Sequence, residues 1–333
     1  MNSRIIVVLV VMASVMLMGC AQSWDYPAAR RDSTVDSYFG VRVEDPYRWM
    51  EDEYSPELAK WIKAENALTE NYLSKIACRE PLRDRLKKLM EYDSQGVYSF
   101  TGKYYFFFKK EGLRNQSVLY VKDSLSGPAR LLLDPNTFSE DGTVALSDVS
   151  ASRDSKYLAY SIADGGSDWN KIYVLDISTG KRLADELSWV KFSSIAWYKD
   201  GFFYSAYDAP VAGRALSGKN EYHKVYYHRV GTPQQEDRLV FQNRQEPLRN
   251  FYAQVTADEK YLIVNETAGT DGNALYVKNL RTNSEFMQLT VGYDYSYTLV
   301  GSRGDSLYML TNYKAPRGKL ICIDMNRTDV GEW

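Results

Sequence analysis

The stretch "SKYLAYSIADGGSDWNKIYVLDIS", residues 155–178, reads as a turn, a strand, a polar loop and a second strand. Two runs rich in Tyr, Ile, Leu and Val suit a pleated, half-buried surface, and the Gly-Gly-Ser-Asp break between them suits a connection. The loop "GGSDWN", residues 165–170, lacks the Lys and the following helix of a phosphate-binding loop. The same unit recurs as "GKYYFFFKK" from Gly102, "DGFFYSAYD" from Asp200, "EKYLIVNET" from Glu259 and "GDSLYMLTN" from Gly304. Each is followed by a second strand: "SVLYVKDS", "KVYYHRVG", "ALYVKNLR" and "KLICIDMN". A β-sandwich has many short strands, but it does not repeat one strand pair in order. Repetition at a period of about fifty residues predicts a β-propeller.

The rest of the chain agrees with a mainly β protein. It has 333 residues, with 27 Tyr, 12 Phe and 7 Trp, a load of aromatics that favours sheets over a helical bundle. Formal charge is −2, so no field favours nucleic acid as a partner. There are two His and three Cys with no zinc-type spacing, and no metal or cofactor is expected. His223 and His228 lie five apart on one predicted strand and so point to opposite faces. That argues against a shared metal or a catalytic pair, and both are predicted at the surface or at loop ends. Cys78 and Cys322 are expected as buried thiols.

Residues 1–19 form a separate object. Arg4 precedes an uncharged apolar run too short to span a bilayer comfortably, and "LMGC" closes it, which predicts a secretory signal with a bacterial lipobox. Cys20 is then the lipidated residue of an exported, membrane-anchored lipoprotein, periplasmic or on the outer-membrane surface. An ordinary signal with an incidental Cys is the alternative. Residues 21–92 read as an extended arm and two helices. The arm contains the dense word "EDPYRWMED", residues 44–52, whose acids read as a solvated or salt-bridged surface. Ser55-Pro56-Glu57 is a helix start, and Leu58, Trp61, Ile62, Leu68, Tyr72 and Ile76 recur at helical spacing. A second helix is predicted over 81–92, with Leu82, Leu86, Leu89 and Met90 on its apolar face. The predicted fold class is an incomplete β-propeller of about five blades, residues 93–333, after this arm and its two helices.

Several segments together resemble the prolyl oligopeptidase family: "YFGVRVEDPYRWMED", "AKWIKAENALTENYL", "NQSVLYVKDS", "LLLDPNTFSEDGTVAL", "WVKFSSIAWYKDGFFYSAY" and "HKVYYHRVGTPQQEDRLVF". The resemblance runs from about Asp25 to the last residue. It implies a seven-bladed propeller inserted ahead of a C-terminal α/β-hydrolase domain, with residues 21–92 packed on that domain. It also implies a serine peptidase that cleaves short peptides after proline, the propeller limiting access to small substrates. Phe192 in "WVKFSS" matches a propeller aromatic that reaches toward the proline-binding pocket; read by itself, it is a core aromatic.

The chemistry of that family needs a Ser nucleophile, a His base and an orienting acid. No G-x-S-x-G turn occurs, and "GGSDW" lacks the second Gly. No catalytic residue is therefore assigned, and the isolated chain is predicted inactive. Five strand pairs against seven, with the last residues inside a blade, predict an N-terminal portion of such a peptidase. The alternatives are a non-catalytic lipid-anchored propeller that binds partners, or the product of a truncated gene. The expected partners are short proline-containing peptides, the chain's own hydrolase domain and a membrane. Trp49, Leu58, Trp61, Ile62 and Tyr72 are expected to be exposed without that domain, and the chain to self-associate.

Overall fold

The computed structural model describes residues 24–52 and 54–333. Residues 1–19, read as a signal sequence, and Cys20 lie outside these residues. The chain divides into two compact units, one up to Asp84 and one from Arg85 onward.

In the first unit, Val35–Tyr38 and Val41–Glu44 pair as a hairpin around Phe39 and Gly40, both with positive φ. Such a two-residue turn matches the twist of the strands it joins. The "EDPYRWMED" segment leaves this hairpin and tightens into a 3-10 turn, Arg48–Glu51. Arg48 is bonded to both Asp36 and Asp45, and the indole of Trp49 donates to the Arg30 carbonyl at 2.8 Å. Within the segment, Asp45 and Glu51 thus bridge Arg48, and Glu44 and Asp52 are exposed, a mixed salt-bridged and solvated surface. Helix α1, Pro56–Leu73, begins where expected, with Ser55 Oγ accepting from the Leu58 amide. Helix α2 runs Arg79–Met90, two residues earlier at each end than predicted, and Leu82, Leu86, Leu89 and Met90 are exposed. One expectation fails here: Leu58 is buried. Trp49 and Trp61 are half-buried, because residues 24–34 lie over them and the Trp61 indole reaches the Pro27 carbonyl. Ile62 and Tyr72 are exposed, Tyr72 meeting Trp24 edge-to-face at 4.9 Å.

The second unit contains five antiparallel sheets in chain order. The first is built on Tyr104–Lys110, Val118–Lys122 and Arg130–Leu133, with short inner pieces at Ser94–Gln95 and Ser99–Thr101. The second has Ala145–Ala151, Tyr157–Ala163, Asn170–Asp176 and Arg182–Val190. The third has Ala196–Tyr198, Gly201–Ala206, Lys224–Arg229 and Arg238–Gln242, and joins the second through one residue pair, Val190 with Ala206. The fourth has Asn250–Val255, Tyr261–Thr267, Ala274–Asn279 and Met287–Gln288, and the fifth Tyr297–Arg303, Ser306–Thr311 and Lys319–Asp324. All five strand pairs read from the repeat are antiparallel neighbours.

The turns that open the repeat are closed by side chains. Ser152 Oγ accepts from the Tyr157 amide and donates to Asp154, and Thr256 Oγ1 does the same with Tyr261 and Asp258. Ser155 and Glu259 take the positive φ that each turn needs. Local side-chain bonds of this kind favour a turn over a continued strand. Gly201 opens the third sheet for a different reason. A Cβ there would lie 2.0 Å from the His228 carbonyl oxygen, so only hydrogen fits.

Within each sheet, alternate residues face opposite neighbours, and both faces are apolar. Leu158, Tyr160, Tyr173 and Leu175 pack on Phe106, Leu119 and Val121 of the first sheet. Their chain neighbours Ala159, Ile172 and Val174 pack on Trp197, Phe202 and Tyr204 of the third. Phe203 and Val225 turn the other way, onto Phe251, Leu262 and Val264 of the fourth. Ile263 and Val277 then meet Leu307, Met309 and Ile323 of the fifth. Fully burying one such side chain stabilises by roughly 1.5–3 kcal/mol. Four layers serve five sheets, and the first and fifth sheets share none among the described residues, so this is an incomplete β-propeller. The alternation also corrects the cysteines. Ile321 and Ile323 point into the layer, which turns Cys322 outward. Cys322 and Cys78, in the α1–α2 connection, are exposed free thiols.

Candidate functional site

Where the Arg182–Val190 strand ends, the chain makes two unusual turns. Trp189 and Phe192 have φ of 59° and 52°, in the left-handed region where a non-glycine residue costs roughly 1–2 kcal/mol. Four bonds hold this segment. The Tyr207 amide donates to Trp189 O at 3.1 Å, and the His223 ring bonds Lys191 O at 2.9 Å. The Ser205 amide donates to Ser193 Oγ at 2.8 Å, and Ser194 Oγ donates to Ala253 O of the fourth sheet at 2.6 Å. Strain persists only where the surroundings over-determine the conformation, and here they do.

The fixed backbone puts Phe192 at the edge of a hollow of about 330 Å³ between the second and third sheets, with Ser147, Asp148, Ser161 and Asn170 among its walls. The Phe192 ring is 40% exposed, so it is a rim aromatic rather than part of a core layer. Burial pushes the Asp148 carboxyl above its ordinary range, and Asn170 Oδ1 is buried without a partner. Lys191 lies 5.3 Å from the Phe192 ring centre and 3.4 Å from the exposed carboxylate of Asp168. Trp169, immediately before the Asn170–Asp176 strand, sends its indole N–H 2.7 Å to Ala215 O, tying this loop to the long 207–223 connection. A second hollow of similar size lies along that connection, between Trp169, Tyr207 and Arg214.

The histidines are not at the surface, although His223 does close a loop, one residue before the Lys224–Arg229 strand. Both are buried, His223 completely and His228 to 1% exposure. They do face opposite ways, as the odd spacing requires. His223 lies between Tyr207 and Phe251, and its Nδ1 accepts from the Phe251 amide at 2.9 Å, so Nε2 carries the proton given to Lys191 O. Burial drives this ring down to about 4, and it is neutral. His228 lies against Phe202, with Nδ1 2.7 Å from Asp237 and Nε2 3.0 Å from Asp185. Burial opposes its charge, but the hydrogen bonds to Asp185 and Asp237 more than offset this and raise it to about 9. Both nitrogens donate, as an imidazolium must.

These positions settle what the site can do. A Ser–His–acid triad needs an imidazole nitrogen facing a serine hydroxyl, and all four ring nitrogens are engaged elsewhere. With no nucleophile turn in the sequence, the described residues supply no attacking group. The structure brings Phe192 into a cleft, and Cys20 lies outside the described residues. Ser193, Ser194 and Ser205 are not singled out by sequence, because none belongs to a motif, and His223 is read there only as a surface or loop-end residue. The adjacent Ser-Ser after Phe192 is the one visible hint.

The comparisons with known proteins agree over nearly the whole chain. Residues 26–333 match the prolyl oligopeptidase N-terminal β-propeller domain. A prolyl endopeptidase of Elizabethkingia meningoseptica is 41% identical over 309 residues, which are 92% of this chain and 44% of that protein. Prolyl oligopeptidase A of Amanita bisporigera is 34% identical over 347 residues, covering 92% and 45% respectively. The solved structure of prolyl oligopeptidase B from Galerina marginata, bound to a 25mer macrocyclization substrate, aligns with a TM-score of 0.77 at 30% identity. It covers 91% of this chain and 46% of that one. The chain thus spans less than half the length of the relatives it matches. On sequence, sheet order and alignment together, this chain belongs to the prolyl oligopeptidase family and spans its N-terminal β-propeller domain.

Proposed function

We propose that this chain is the propeller portion of a serine peptidase that cleaves short peptides after proline, and that the propeller screens substrates by size. The observation that carries the reading is the Phe192 segment, strained, four times bonded and exposed at one hollow of a propeller whose relatives are prolyl peptidases. An aromatic ring held in place gives a pyrrolidine ring a flat apolar surface at little entropic cost. The nucleophile, base and oxyanion donors come from a C-terminal hydrolase domain, against which residues 21–92 pack. Residues 1–19 direct export and Cys20 carries the lipid, so the peptidase works at a membrane surface.

The test is complementation. The chain is co-expressed with the C-terminal hydrolase portion of the Elizabethkingia meningoseptica relative, and cleavage of a chromogenic peptide with proline before the scissile bond is measured. The complex cleaves, while the chain alone neither cleaves nor reacts with a serine-directed fluorophosphonate. Phe192→Ala raises KM about tenfold, roughly 1.4 kcal/mol, with kcat little changed. Equal KM for the Phe192→Ala complex removes Phe192 from the reading. Labelling of a serine in the chain alone overturns it.

A further inference from the structure

On the outer side of the layer between the third and fourth sheets lies a cleft of about 270 Å³ that the peptide reading does not use. Its walls include Tyr198, Lys199, Arg238, Leu239, Lys278 and Asn283, and no carboxylate lines it. The three cations come from separate parts of the chain. Lys199 sits in the tight turn before Gly201, with φ of 50°. Arg238 opens the last strand of the third sheet, and Lys278 lies on the third strand of the fourth. The cleft floor is closed by Phe203 and Leu262, and by the Tyr198 hydroxyl at 3.4 Å from Leu280 O.

Several other cations of the second to fourth sheets are paired. Lys171 and Arg182 share Glu186, Lys224 meets Asp208, and Lys260 meets Asp305. Lys199, Arg238 and Lys278 have no carboxylate within salt-bridge distance among the described residues; each lies instead near an aromatic ring, of Tyr198, Tyr227 and Phe286 respectively. The acids close to them in sequence are taken. Asp200 holds Arg229 at 3.0 Å and the Tyr227 hydroxyl at 2.9 Å, and Asp237 holds His228. Three like charges lining one concave, partly apolar site focus a positive potential there.

We propose that this cleft binds a phosphate monoester, the guanidinium of Arg238 bonding two oxygens and the two lysines supplying point charges. A phosphate near charge −2 matches three cations better than a lone carboxylate does. The apolar walls from Leu239 and Leu280 would cover the ester's carbon side.

Isothermal titration of the full chain with pyrophosphate at low salt reads the site directly. One saturable site is expected, at least tenfold weaker in Lys199→Gln/Lys278→Gln, and weakened by added salt. The variant should melt no lower than the native chain, since removing like charges relieves repulsion. Arg238→Gln alone serves as a second variant should the double one fail to fold. Sedimentation of a Cys20→Ser chain with phosphatidic acid or phosphatidylcholine vesicles separates the sources. Binding to phosphatidic acid that the double variant loses assigns a lipid headgroup, and pyrophosphate binding without vesicle binding assigns a free phosphate compound. No saturable pyrophosphate binding, or equal binding by the double variant, overturns the proposal.

Discussion

His223, one residue before the Lys224–Arg229 strand, and His228, within it, look into different layers of the propeller. On the His223 side, the imidazole meets two backbone groups and two aromatic rings, and it stays neutral. On the His228 side it meets two carboxylates, and it is charged. Both sites are equally dry. The difference teaches that burial alone sets only the default, and that bonded partners decide the protonation state. The two sides also do different work. The His228 cluster locks the second sheet to the third, with Asp185 also accepting from the Gly231 amide and Asp237 from the Tyr204 hydroxyl. His223 joins the third sheet to the fourth and fixes the backbone one residue before Phe192.

Replacing His228 by Leu should have the largest effect, since it leaves two buried carboxylates without their cation. The expected loss is about 3–5 kcal/mol in urea unfolding at pH 7. A loss below about 1 kcal/mol would mean that the cluster is solvated. Asp185→Asn/Asp237→Asn in the same background should recover part of the loss.

The two sides should also give opposite pH limbs. His228 has its folded value raised above the unfolded 6.5, so its contribution is complete below pH 6.5 and is lost as pH rises toward about 9. His223 has its folded value lowered, so the unfolded chain takes up the proton first, and stability is lost as pH falls from 6.5 toward about 4. Each limb has a limiting slope of about 1.4 kcal/mol per pH unit. Asp185, which its bonds to His228 and Gly231 hold below its usual range despite burial, adds a further loss only at lower pH, below about 3.8. Stability measured from pH 4 to 9 should lose its alkaline limb in His228→Leu and its acid limb in His223→Phe; if either variant keeps both limbs, the assignment of charge states is wrong.

At pH 7, His223→Phe leaves Lys191 O and the Phe251 amide unpaired, for about 1–3 kcal/mol. It should also loosen the Phe192 segment, seen as faster amide exchange at residues 189–193; unchanged exchange there would separate the histidine from the site. The smallest effect is expected from Ser205→Ala, about 1 kcal/mol, because only its bond to Phe251 O at 2.7 Å is lost. A double variant with His223→Phe tests whether the two bonds to Phe251 act together or add independently.

The same strand shows what is legible in a sequence of this kind and what is not. "KVYYHRVG" announces a strand, its place in the repeat announces a blade, and odd spacing announces that the two histidines face apart. Their burial was not readable, because Asp185 and Asp237 arrive from positions 43 and 9 residues away, and only the closed layers bring them in. Phe192 was readable through resemblance. The bonds that hold its segment join groups 12 to 59 residues apart in the chain, and no local pattern encodes them. The start of helix α1 was readable to the residue, since Ser-Pro-Glu is a local signal, whereas the cover over Trp49 and Trp61 comes from an arm with no periodicity. The exposure of Cys322 follows from strand parity, whereas Cys78 lies in the connection between two helices.

The four layers described above have a kinetic side. Each sheet is made of adjacent hairpins and rests on its neighbours in the chain, so structure can grow from one sheet to the next without long loop closures. Opening should then be graded rather than all-or-none. Amide protons of the third sheet, held by a layer on each face, would exchange most slowly, and those of the first and fifth, held on one face, would exchange first. The Phe192 segment lies beside the slowest region of that gradient, so its strained turns are kept by the part of the propeller that opens least often.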